Sequence, residues 1–170
     1  MDGFLLFAGL GGRDLLYLPM DVPNATPKPY VTDPFAQRQG QFSPDGRFVA
    51  CMSDESGQSE IYVRPFPDAT SGKWVISTAG GLEPRWSRDG RALFYRQGRT
   101  IMRVGVTLKP AFSAGAPEKL FEAPIDGAYN GDNHRWHVSP DGQRFLLQTL
   151  PDSRPNPIRV IVNWPRLLSD

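Results

Sequence analysis

The chain has 170 residues, the usual size of one domain, and its formal net charge of +1 gives no field that favours nucleic acid or an anionic membrane. Its one cysteine, Cys51, excludes an internal disulfide, and no apolar run is long enough to span a membrane. The 17 glycines and 17 prolines indicate a chain that turns every few residues.

Predicted strands follow one another along the whole chain, because short runs of β-branched and aromatic residues alternate with Gly, Pro, Asp or Ser. No stretch shows the pattern of an amphipathic helix of normal length. With the letters A to D for the place of a strand within a repeat, the predictions in chain order are B 4–8, C 15–19, D 28–31, A 40–43, B 48–52, C 60–64, D 73–77, A 84–87, B 92–96, C 101–106, D 118–121, A 135–139, B 144–148 and C 158–163.

Asp-Gly steps mark the start of each repeat. Four of the five Asp-Gly steps begin at positions 2, 45, 89 and 141, so they lie 43, 44 and 52 residues apart, and the fifth begins at 126. Three of them end a phrase such as Ser43-Pro44-Asp45-Gly46, in which Pro presets φ and Gly takes the left-handed position of a tight turn. We therefore expect Asp45, Asp89 and Asp141 to hold turns between an A and a B strand, and not to act in catalysis.

A period of about 40–45 residues with four short strands predicts an all-β fold built of β-propeller blades. The chain forms one predicted domain over residues 1–170, with repeats at 1–41, 42–85, 86–136 and 137–170, or about 3.5–4 four-stranded units. Four B and four C strands but only three A and three D strands make two whole blades and two incomplete ones. Unpaired strand edges invite association, so we expect a partial propeller that is completed by a C2 homodimer with about six to eight blades.

The repeats resemble a known family. The phrase at 42–46 with Glu60-Ile61-Tyr62-Val63 downstream, and the stretch 81–95, are similar to TolB-type, WD-repeat-like bacterial propellers. The stretches 138–147 and 157–164 resemble the C-terminal end of propellers attached to bacterial serine/threonine kinases. The resemblance implies a sensor or interaction module with about six or more blades, of which this chain is a C-terminal fragment.

One insertion carries both histidines of the chain. Residues 126–137 lengthen the third interval and precede an innermost strand, so we expect them at the mouth of a central channel. Asp132, His134 and His137, with Glu83 from the preceding repeat, are candidate ligands for one divalent ion such as Ca, Zn or Mn. The alternative is a solvated loop histidine and a sheet histidine, because the spacing is no established metal motif.

Aligning the A strands predicts three layers of side chains around the channel. They are Arg38, Leu82 and His134; then Gln39, Glu83 and Arg135; then Gln41, Arg85 and His137. For an enzyme, Glu83 and His134 would be the catalytic pair, with Arg38 or Arg135 stabilising negative charge. The alternative is that these groups satisfy one another across a wet channel.

The sequence and the resemblance lead to three alternative functions. The first is a module that closes a ring by self-association and binds a small molecule or a peptide in its channel, with no nucleic-acid or membrane partner. The second is a metal-dependent hydrolase of activated esters, lactones or phosphotriesters. The third is an orphan fragment without activity of its own. The first residues lack a basic segment and an apolar segment, so we expect no signal peptide in this chain and a cytoplasmic location as it stands. A longer parent protein would be a candidate for an extracytoplasmic location.

Overall fold

The computed structural model describes residues 3–9, 11–125 and 134–148, and the backbone of 159–162. It is all-β in these residues, with four antiparallel sheets that follow one another in chain order. Among the described residues no helix has the length and apolar character that a membrane crossing needs.

Each sheet corresponds to one predicted blade. The first holds β1 (Phe4–Ala8), β2 (Leu15–Pro19) and β3 (Lys28–Val31). The second holds β4 (Gln37–Phe42), β5 (Phe48–Ser53), β6 (Glu60–Pro65) and β7 (Trp74–Val75). The third holds β8 (Leu82–Trp86), β9 (Ala92–Gln97), β10 (Thr100–Thr107), β11 (Ser113–Ala114) and β12 (Glu118–Glu122). The fourth holds β13 (Trp136–Val138), β14 (Arg144–Leu147) and β15 (Arg159–Val162).

The order of strands in the sheets confirms the predicted fold and the count of A to D strands. The first blade lacks an A strand and the fourth lacks a D strand among the described residues. Three details differ. The A strands β4 and β8 begin two or three residues earlier than predicted, β7 is only two residues long, and β11 was not predicted. The second, third and fourth sheets begin at their A strand, which precedes the Asp-Gly turn. The boundaries of the blades therefore lie before the boundaries of the predicted repeats.

The core consists of three apolar layers, one between each pair of successive sheets. The central strand β5 is buried at every position because it has a sheet on either side. Side chains alternate along a strand. Val49 and Cys51 therefore pack toward the first sheet, whereas Ala50 and Met52 pack toward the third. This position explains the lone cysteine, whose burial raises the pKa of its thiol to about 12.

The recurring phrase forms the same turn three times, as predicted. In the third sheet, the Ser87 hydroxyl donates to Asp89 Oδ1 at 2.7 Å, and the N–H of Arg91 donates to the same oxygen at 3.0 Å. Ser87 Oγ in turn accepts from the N–H of Ala92 at 2.8 Å. Gly90 has φ +69°, a left-handed conformation that favours glycine. The equivalent bonds of Asp45 and Asp141 show that these aspartates hold turns.

Candidate binding site on the inner strands

The inner strands β4, β8 and β13 lie side by side, because each begins its sheet and the sheets pack face to face. The predicted alignment of their residues is correct. Gln41, Arg85 and His137 pair with Ala50, Phe94 and Leu146, which are themselves equivalent positions of three B strands. The three residues of the third predicted layer therefore occupy equivalent positions in their blades.

The second layer forms a chain of hydrogen bonds from one blade to the next. Gln39 Oε1 accepts from the backbone N–H of Glu83 at 2.8 Å, and Glu83 Oε2 accepts from the backbone N–H of Arg135 at 2.9 Å. Gln39 and Glu83 both have a positive φ, +57° and +58°, where the register of their strands shifts. This local bulge re-aims each side chain toward the next blade. We call this set of bonds the inter-blade clasp.

Both carboxylate oxygens of Glu83 accept hydrogen bonds within the protein. The second oxygen, Oε1, accepts from Arg96 Nε at 3.1 Å and from Arg96 Nη2 at 2.8 Å. Both side chains are only 1% exposed. Sequence reasoning missed Arg96, although a charged residue stands there where the equivalent B strand has Met52. An arginine at a position where the other blade has methionine could have indicated that Arg96 has a buried acidic partner.

Three further predicted site residues are Arg38, Arg135 and Asp132. Arg38 is half-buried beside the turn after β1, where its Cζ lies 3.4 Å from a Cβ built on Gly12. Arg135 is buried, and its backbone takes part in the clasp. Asp132 lies outside the described residues, so its place as a ligand stays a prediction.

The two histidines differ in environment. His137 is exposed on β13, and its Nδ1 lies 2.7 Å from the carbonyl oxygen of Val138. His134 is half-buried, and its Nε2 has no hydrogen-bond partner among the described residues. Burial is the main cause that lowers the pKa of His134 to about 4, and the nearby Arg85 and His137 add to the effect.

The described residues do not make up a metal site. No three His, Cys, Asp or Glu side chains converge among them, and the Glu83 carboxylate is occupied by two partners. A divalent ion therefore stays a prediction that depends on Asp132.

A cavity of about 470 Å³ opens between the three inner strands. Its polar lining includes Gln41, Arg85, Arg88 and His137, and its apolar lining includes Phe42 and Trp86. Burial lowers the pKa of Arg85, against the opposing effect of the Glu83 carboxylate. The volume lies within the range of small-molecule sites, and the open cavity has both polar and apolar walls.

No protein-family model matches the chain, and no curated protein matches it at a significant level. Solved structures do match it. The β-propeller domain of Cps50 (Swd1) from Myceliophteria thermophila has a TM-score of 0.54 at 13% identity and covers 89% of this chain and 54% of that one. Oligogalacturonate lyase from Vibrio parahaemolyticus has a TM-score of 0.51 at 15% identity, covering 85% of this chain and 35% of that one. A structure of oligogalacturonate lyase in complex with manganese matches with the same values.

The chain therefore spans about one third to one half of the length of these structures. TolB from Acinetobacter baumannii is also matched, with a TM-score of 0.45 at 15% identity, covering 94% of this chain and 49% of that one. Identities this low establish a fold and not an activity. Together with the four sheets, the match to the Cps50 domain shows that this chain has the β-propeller fold that its sequence predicts.

Proposed function

We propose that this chain is a binding module, which takes a small molecule or a peptide into the cavity between β4, β8 and β13. The observation that carries the proposal is the cavity itself. It lies where the inner strands of three blades meet, and it combines the donors of Arg85 and His137 with an aromatic wall. Propellers bind ligands in such central positions without needing a catalytic group.

The state of Glu83 favours binding over hydrolysis. A general base or a metal ligand needs a carboxylate oxygen with a free lone pair that faces the reactant. The Glu83 oxygens serve Arg96 and the Arg135 backbone, and the side chain is buried. Cys51 offers no accessible nucleophile, because it is held in the core as a neutral thiol.

Self-association is the second part of the proposal. Two copies placed around a C2 axis would bring the incomplete first and fourth blades of one copy to those of the other, and would close a ring of about six to eight blades. The support is that β1 has a partner on one side only among the described residues. Phe4 and Leu5 on the same strand are 42% and 50% exposed.

The binding proposal can be tested with a set of anionic, neutral and cationic fragments, followed by the NMR signal of the Trp86 indole N–H. We expect some fragments to shift this signal, because Trp86 lines the cavity. His137→Trp should fill the cavity and abolish the shifts. Val75→Trp is the matched control, because Val75 is 54% exposed on the outer strand β7. No shift with any fragment, or equal shifts in His137→Trp, would refute the proposal.

A further inference from the structure

The charged groups of the cavity all have the same sign. Arg85 comes from β8 and Arg88 from the turn that follows it, and no carboxylate lines the cavity among the described residues. The nearest acidic group to Arg85 along β8 is Glu83. Its carboxylate is already committed to Arg96 and to the Arg135 backbone. The Glu83 carboxylate therefore offsets the positive charge of Arg85 only in part, through space.

Arg85 also has an unused donor. Its Nε is buried and has no hydrogen-bond partner among the described residues. A buried donor without a partner is costly, so such groups in folded proteins call for an explanation. Because this atom is enclosed, a ligand in the cavity would meet the part of the Arg85 side chain that lines it, and the planar guanidinium fork suits oxygen atoms of carboxylates and phosphates in particular.

One part of the cavity wall is apolar and fixed in place. The Trp86 indole N–H donates to the carbonyl oxygen of Gln41 at 3.0 Å, which ties the ring to the neighbouring inner strand β4. Phe42 continues this wall on β4. Aromatic rings held in this way offer a flat surface for an apolar or aromatic body.

We infer that the cavity binds a small molecule that carries an oxyanion, a carboxylate or a phosphate, on an apolar or aromatic body. The oxyanion meets Arg85 and Arg88, and the body lies against Trp86 and Phe42. The inference rests on the proposed binding function and names the ligand class for the same cavity.

The test titrates the full chain with benzoate, phenyl phosphate, benzamide and benzylamine, followed by the Trp86 indole signal. Benzoate or phenyl phosphate should bind, and whichever binds more tightly identifies the preferred oxyanion. The neutral benzamide and the cationic benzylamine should bind at least about tenfold more weakly, the loss expected when a charge-assisted hydrogen bond is missing. Added salt should weaken benzoate and not benzamide.

Arg85→Gln should weaken the anionic probes by about tenfold or more and leave benzamide unchanged. Arg99→Gln is the matched control, because Arg99 is exposed in the turn between β9 and β10 and is expected to keep parental affinity. Should Arg85→Gln fail to fold, the exposed Arg88→Gln provides the second variant. Benzoate affinity that survives both changes would overturn the inference. Binding of only neutral or cationic probes would overturn it too, but would leave the binding function standing, whereas no binding of any probe would overturn both.

Discussion

At the scale of single residues, glycine conformation determines which substitutions the turns accept. Gly46 has φ +71°, and a Cβ built there meets no atom within 4 Å, so any cost of a side chain is conformational. Gly105, on β10, has equally open space for a Cβ but no positive φ. A comparison of Gly46 with Gly105 therefore isolates backbone strain, because a Cβ has no steric conflict at either position. Gly72 is a poorer control, since an added Cβ would lie 3.0 Å from the Trp74 ring.

Gly46→Val should lower the free energy of unfolding by about 1–3 kcal/mol, because a β-branched residue is strained in the left-handed region. Gly105→Val should change it little or raise it, because valine favours a strand. Urea unfolding monitored by circular dichroism measures both variants. Equal midpoints for the two variants would contradict this account of the turn.

The turn aspartates give the fold a defined dependence on pH. Hydrogen bonds, first from the Ser87 hydroxyl and then from the Arg91 N–H, hold the pKa of Asp89 below its usual value. A carboxyl whose folded pKa is depressed contributes stability above its unfolded pKa of about 3.9, and this stability disappears as pH falls through the folded pKa.

Asp89→Asn should therefore be less stable than the parent at neutral pH, and the difference should shrink as pH falls below about 4. Thermal midpoints of both proteins between pH 7 and pH 3 provide the measurement. A difference that stays constant across this range would show that the carboxylate charge does not support the turn.

At the scale of strands, the inter-blade clasp joins successive blades through their backbones. Each acceptor side chain leaves a bulged inner strand and binds the equivalent N–H of the next one. The buried pair of Glu83 and Arg96 completes this arrangement on β8 and β9. Removing one partner of a buried pair leaves an uncompensated charge, which is costly even where the intact pair adds little net stability.

Glu83→Gln should lower the free energy of unfolding by about 3–5 kcal/mol, because Arg96 stays charged in a dry environment. Glu118→Gln is the control, since the Arg103–Glu118 pair on β10 and β12 is exposed and should contribute less than about 1 kcal/mol. Denaturant unfolding of both variants checks the contrast. Similar losses for the two would mean that the clasp is not a structural requirement.

At the scale of the whole molecule, the edge of β1 that has no partner among the described residues is the proposed place of ring closure. The N–H of Met20 donates to the carbonyl oxygen of Gly3, and that of Gly9 donates to the carbonyl oxygen of Asp14. Antiparallel pairs alternate between bonded and non-bonded positions. The even-numbered residues of β1, including Ala8, therefore direct their backbone groups away from β2.

We expect light scattering at micromolar concentration to give twice the 18.9 kDa mass of one chain, through pairing at this edge. Ala8→Pro should produce a folded monomer, because proline removes an outward donor that β2 does not use. Ala8→Val, which keeps the donor, should remain a dimer. A monomeric parent, or a dimer that tolerates Ala8→Pro, would contradict the proposed assembly at β1.

The sequence by itself determined the strands, the turns and their period, because these depend on local chemistry. Ser-x-Asp-Gly sets a turn wherever it occurs, and the repeat then places Gln41, Arg85 and His137 in one layer. Only the tertiary structure decided the role of Glu83. Its two hydrogen-bonding partners lie 13 and 52 residues away, and a positive φ that no propensity predicts directs its side chain toward them. The cavity with the unused Nε of Arg85 likewise arises only when three sheets pack together, since it belongs to no single repeat.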